Sequence, residues 1–94
     1  LEKQSEDLKT KPPSRVNVIF HNDDFTDINF VIEVLVDIFK KDTEAAITIT
    51  LAIHEKGIAI VGQYAKDIAE TRQHLCTKYA RQEGFPLRVT IEPT

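Results

Sequence analysis

Asn22, Asp23 and Asp24 place an amide and two carboxylates side by side in the run His21-Asn22-Asp23-Asp24-Phe25-Thr26. Groups of this kind accept hydrogen bonds and attract cations. Asn and Asp also favour turns, because their side chains bond nearby backbone N–H groups. A helix starting just beyond the turn would point partial positive charge at it, which suits an anion. A cation could be held there only if the carboxylates overcome that field, and two of them could. The plainer alternative is a solvated turn leading into a helix. His54 is the second candidate. It closes the segment Ile47–Ile53 and precedes Glu55-Lys56-Gly57. If that segment is a helix, His54 lies in its last turn, where a neutral imidazole can accept a hydrogen bond from an ammonium group. The alternative role is a C-terminal histidine meeting free carbonyls. His21 could join Asp23, Asp24 and His54 around a divalent metal, although no recognised ligand spacing supports such a site.

Other chemistries lack their residues. There is no G-x-G-x-x-G, G-x-x-x-x-G-K-[ST], C-x-x-C or H-E-x-x-H pattern. Ser5 and Ser14 fall in a polar leading segment, so a serine triad has no positioned nucleophile. Cys76 is the single cysteine, which excludes an internal disulfide and suits a reducing cytoplasm. It falls on an apolar stripe, as a packing residue would. No catalysis, cofactor or metal is therefore expected. A net charge of -3 argues against nucleic acid as the main partner. Glu33, Asp37, Lys56 and Gly57 interrupt the apolar stretches, so none reaches the roughly 20 residues of a membrane span. The 94 residues allow one small domain. No signal peptide is read at Leu1–Lys11, which is charged.

The elements that must position Asn22–Asp24 and His54 can be read along the chain. Residues 1–14 form a polar tail, expected to be flexible, ending at Pro12-Pro13-Ser14, and residues 15–94 form the domain. Val16–Phe20 is a short β-rich strand. Thr26 is a suitable N-cap for a helix over Ile28–Phe39, where nine of twelve residues are apolar. Ile47-Thr48-Ile49-Thr50-Leu51-Ala52-Ile53 alternates and is β-branched, which favours a strand. A cap at Asp42 or Thr43 and a stop at Gly57 tilt it slightly to helix. Ile58–Gly62 reads as a strand. Tyr64–Glu83 reads as a helix with its apolar stripe at Ala65, Ile68, Ala69, Leu75, Cys76, Tyr79 and Ala80, stopped by Gly84 and Pro86. Leu87, Val89 and Ile91 alternate with polar residues as a last strand. The order β-α-α-β-α-β predicts an α+β fold, with a three-stranded sheet carrying helices on one face.

Four segments then carry a resemblance in the right order and spacing: V-I-F-H-N-D-D-F-T-D-I-N-F-V-I-E-V-L, L-A-I-H-E-K-G-I-A-I-V-G-Q-Y, I-A-E-T-R and Y-A-R-Q-E-G-F-P-L-R-V-T-I-E. Together, over residues 16–93, the chain resembles the ClpS family of bacterial adaptors. The family delivers N-end rule substrates to the Clp ATPase–protease. The resemblance implies a three-stranded antiparallel sheet packed against three helices, similar to the C-terminal domain of the ribosomal stalk protein. It also implies helix for the ambiguous segment. It assigns the α-amino group of a cargo's N-terminal Leu, Phe, Tyr or Trp to Asn22, Asp24 and His54. Asp23 would add negative potential and Thr26 would support the edge of the site. Ile28, Val31, Thr50, Ile53 and Leu87 would line the pocket for the first side chain. Asp67 and Arg72 would dock on the N-domain of the ATPase, and the tail would engage it too. At two rim positions often held by methionine, this chain has Ile28 and Thr50, a departure that puts the family's exclusion of N-terminal Ile or Val in question. The partners implied are a Clp ATPase and proteins bearing an N-degron, met by a monomer. The competing expectation is a generic protein–protein module using the apolar first helix, with Phe30 and Phe39 as contacts.

Overall fold

The computed structural model describes residues 14–94. The polar tail expected at residues 1–14 lies outside them, apart from Ser14. The elements run β1 (Arg15–His21), α1 (Ile28–Asp37), α2 (Thr43–Lys56), β2 (Ile58–Ala65), α3 (Lys66–Gln82) and β3 (Arg88–Pro93). This is the expected β-α-α-β-α-β order. β1 lies at the centre of an antiparallel sheet with strand order β2-β1-β3.

Alternation along β1 sends Val16, Val18 and Phe20 into the core. They meet Phe30, Val31, Val34 and Leu35 of α1 and Phe39 just beyond it. Phe20 and Phe39 pack edge to face with ring centroids 5.4 Å apart. Ala46 and Ile53 of α2, Val61 of β2, Ala69, Cys76 and Ala80 of α3, and Val89 complete the same cluster. One contiguous core thus links every element.

The Ile47–Ile53 segment is helical, against its β-branched composition. Asp42 caps α2 by accepting from the Ala45 amide at 2.7 Å. Thr48 and Thr50 donate their hydroxyls to the carbonyls of Glu44 and Ala46, at 3.0 and 2.7 Å. Thr side chains bonded in this way are absorbed by a helix. Gly57, at φ 87°, then ends α2 in the left-handed conformation that glycine adopts without penalty.

Three expectations are corrected. The N-cap of α1 is Asp27, which accepts from the Asn29 amide at 2.9 Å, rather than Thr26. Tyr64 and Ala65 belong to β2 rather than to the third helix, because they pair with Val16 and Arg15 of the central strand. Ile68 and Leu75 lie on the outside of α3, not on its buried stripe.

Burial pushes the Cys76 thiol up to about 12, against a smaller lowering by the charge of Arg81. The reactive thiolate is correspondingly scarce. Alkylation by iodoacetamide near neutral pH is expected to be more than tenfold slower in the folded protein than in denaturant. Equal rates would show that Cys76 is not packed in this core.

Candidate functional site

Two chain segments must meet for the polar turn and His54 to act together. The backbone makes that junction. Beyond the last β1–β2 register pair, His21 with Ile58, the Asn22 amide donates to the Gly57 carbonyl at 2.8 Å. Gly57 is the residue that ends α2, and His54 lies one turn upstream. The sheet therefore zips the start of the turn to the end of the helix.

A recess opens at this junction. Asn22, Asp23 and Thr26 line it from the turn, and Ile28 and Val31 from α1. Thr50, Ile53 and His54 line it from α2, with Leu87 and His21 closing the remainder. Asp24 is exposed on the turn, outside that lining. The recess is small, about 30 Å³, and roomy enough to hold water. A far larger trough of about 870 Å³ lies between Arg15, Lys66, Glu70 and Pro93. It is an open surface, whereas the small recess gathers convergent polar groups above apolar walls, as binding sites do.

The turn holds its own shape through Asp23. One carboxylate oxygen accepts from the Phe25 and Thr26 amides at 2.8 and 2.7 Å. The other accepts from the Thr26 hydroxyl at 2.7 Å. Burial alone would raise this carboxyl. The Thr26 hydroxyl, the two amides and the charge of Arg81 outweigh it and hold Asp23 below its ordinary value. Asp23 therefore spends both oxygens on the loop. The exposed Asp24 carboxylate makes no hydrogen bond among the described residues, so it remains available to a ligand.

The apolar wall is equally well satisfied. Thr50 is 4% exposed, and its hydroxyl is committed to the Ala46 carbonyl. It offers the recess no unpaired donor. Leu87 is fixed from behind by Arg81, whose guanidinium donates to the carbonyls of Phe85 and Leu87 at 2.8 and 2.9 Å. Gly84, at φ 82°, lets the chain leave α3 and turn toward that position. Sequence reasoning missed Arg81. A cation in the last turn of a helix, three residues before a glycine stop, was the available signal. It also placed His21 only in a hypothetical metal cluster. The His21 ring instead pairs Nε2 with the Thr90 hydroxyl at 2.7 Å. Among the described residues, no three His, Cys, Asp or Glu side chains gather as metal ligands would.

Residues 11–90 match the family described as ATP-dependent Clp protease adaptor protein ClpS. The chain belongs to the ClpS family. It is 49% identical to the ClpS adapter of Oleidesulfovibrio alaskensis over 82 residues, covering 87% of this chain and 79% of that protein. It is 43% identical to the ClpS adapter of Vibrio atlanticus over 89 residues, covering 95% and 84%. Among solved structures, ClpS2 of Agrobacterium tumefaciens bound to L-phenylalaninamide superposes with a TM-score of 0.83 at 34% identity. That match covers 88% of this chain and 100% of the other. The α+β architecture read from the sequence is thus a ClpS architecture. No helix among the described residues is long and apolar enough to cross a membrane.

Loss of the Thr26 hydroxyl tests the loop's wiring. Thr26→Val is expected to cost about 1 kcal/mol of stability near neutral pH. A carboxyl held below its ordinary value stabilises the fold above that value and ceases to do so as pH falls through its lowered one. The wild type's advantage should therefore be complete above about pH 4 and shrink in stronger acid. Denaturant titrations at several pH values measure it, and a gap that persists unchanged to about pH 2 contradicts the assignment.

Proposed function

We propose that this ClpS-family protein is a non-enzymatic adaptor of the cytoplasm, working as a monomer. It grips proteins by a free N-terminal Leu, Phe, Tyr or Trp and hands them to a Clp ATPase–protease. The observation that carries the reading is the recess itself, in which hydrogen-bond acceptors at Asn22 and His54 stand over an apolar floor at Val31, Ile53 and Leu87. The phenylalaninamide bound to the Agrobacterium relative is a ligand of that class, a free amine beside an aromatic side chain.

The division of labour follows from chemistry. An α-ammonium has three N–H donors and needs acceptors converging on one point. Asn22, His54 and the unspent carboxylate of Asp24 supply them. Asp23 and Thr26 keep the turn in shape, and Asp23 adds negative potential. Ile28, Val31, Thr50, Ile53 and Leu87 receive the first side chain. Charge-assisted hydrogen bonds contribute about 1.5–3 kcal/mol each before desolvation losses. Burying a Leu or Phe side chain adds about 1.5–3 kcal/mol. After ordering costs, roughly 6–8 kcal/mol remains, or micromolar to tens of micromolar affinity. Such a complex can release its cargo. Ile28, half exposed at the first residue of α1, is the wall residue with most freedom to move. Asp67 and Arg72 of α3, away from this recess, form the surface that meets the ATPase N-domain.

A titration with a labelled Leu-first peptide and its N-acetylated twin tests the reading. The free peptide should bind in the range above, and acetylation should weaken it by more than about tenfold, because the charged donors are lost. Asp24→Ala should weaken the free peptide toward the level of the acetylated one. Equal binding of the two peptides would mean that the protein docks partners without regard to their N-termini.

A further inference from the structure

Beyond the recess, the outer face of α3 carries exposed apolar side chains. Ile68 and Leu75 are 44% and 50% exposed. With Arg72 they fall within about 60° of arc on the helix, at the i, i+4, i+7 spacing of one face. Asp67 and Thr71 border it, and a shallow groove of about 290 Å³ runs along Asp67, Ile68, Thr71 and Arg72. Two large aliphatic side chains left in water on either side of a cation are not explained by the packing of this domain.

The cation is held in place. The Arg72 guanidinium lies over the ring of Tyr64, 5.2 Å from its centroid. An Arg cation so placed is attracted to the ring face. Among the described residues it has no hydrogen-bonding or ion-pair partner, so its donors remain available. Tyr64 is itself anchored. It packs against Phe39 at 6.0 Å between centroids, and its hydroxyl reaches the Phe39 carbonyl at 3.3 Å. Lys41 Nζ lies 6.0 Å from the same ring. Gly62 leaves the necessary space, since a Cβ there would come within 3.1 Å of Lys41 Nζ and 3.2 Å of the Tyr64 hydroxyl.

We propose that Tyr64 is a positioning residue for ATPase docking: it presents Arg72 between Ile68 and Leu75, so that the docking surface is a fixed cation set in an apolar strip. The inference rests on the reading that Asp67 and Arg72 meet the ATPase N-domain. It extends that surface by two aliphatic anchors and gives the arginine its preorganisation. The occupant is a folded domain that offers an apolar patch, a carboxylate opposite Arg72 and a cation opposite Asp67. Interfaces of this type concentrate their binding in a few buried anchors and arginines. A cation already held in its docking pose loses less freedom on binding than a free one.

The test measures the affinity of the full chain for the Clp ATPase, with Leu-first peptide binding followed in parallel. Tyr64→Leu should weaken ATPase binding about three- to tenfold, whereas Tyr64→Phe keeps the ring and should stay within about twofold. Leu75→Ser should weaken it by a similar three- to tenfold. None of the three should change peptide affinity. In an Arg72→Ala background, Tyr64→Leu should add nothing further, because the two residues act as one unit. A Tyr64→Leu protein that binds peptide normally and the ATPase as tightly as wild type overturns the inference. So does a Leu75→Ser protein with unchanged ATPase affinity, which also covers the case in which Tyr64→Leu does not fold. If the wild type itself does not bind the ATPase, the adaptor reading falls and this inference falls with it. Failure in the variants alone leaves the adaptor reading standing.

Discussion

A single backbone hydrogen bond, from the Asn22 amide to the Gly57 carbonyl, joins the polar turn to the end of α2. It extends the β1–β2 pairing past the end of β1 and ahead of the start of β2. The carbonyl is available because Gly57 has turned left-handed at the end of α2. Another residue at φ 87° would have to pay conformational strain. The bond ties a loop, whose shape is local, to a helix terminus, whose direction is fixed by the core. Asn22 and His54 lie 32 positions apart in the chain, and this closure brings them to one recess.

Around that closure, charge is sorted by task. Asp23 is consumed internally by two amides and a hydroxyl, which makes the turn rigid. Asp24 faces water and makes no hydrogen bond among the described residues. Arg81 contributes from the far side by holding the carbonyls on either side of Pro86. Its charge also lowers the Asp23 carboxyl. The apolar floor carries no unpaired polar atom that would penalise a greasy side chain, since even the Thr50 hydroxyl is satisfied within its own helix. That separation supports the proposed selectivity for a charged amine above and an apolar side chain below.

Local signals carried much of this in the sequence. β-rich composition marked β1, alternation marked β3, and the Asn-Asp-Asp cluster marked the turn. Asp42 and Gly57 marked the limits of α2 even where β-branched residues argued for a strand. Most of what local signals missed was decided by partners distant in the chain. Tyr64 and Ala65 look helical until β1 pairs with them. Ile68 and Leu75 look like core because periodicity cannot distinguish a face covered by this domain from one left exposed. Arg81 looks like a solvated helix residue until Phe85 and Leu87 come to lie beside it. The role of Asp23 was within reach, because Asp followed by amides two and three residues on is an Asx-turn pattern. Its adjacency to Asp24 suggested a shared task instead.

The most direct measurement is the structure of the protein with L-leucinamide bound. The account predicts one ammonium nitrogen about 3 Å from both the Asn22 side-chain oxygen and an imidazole nitrogen of His54, with the leucine methyls between Val31, Ile53 and Leu87. A ligand seated elsewhere, or a nitrogen that the two side chains cannot reach together, contradicts it.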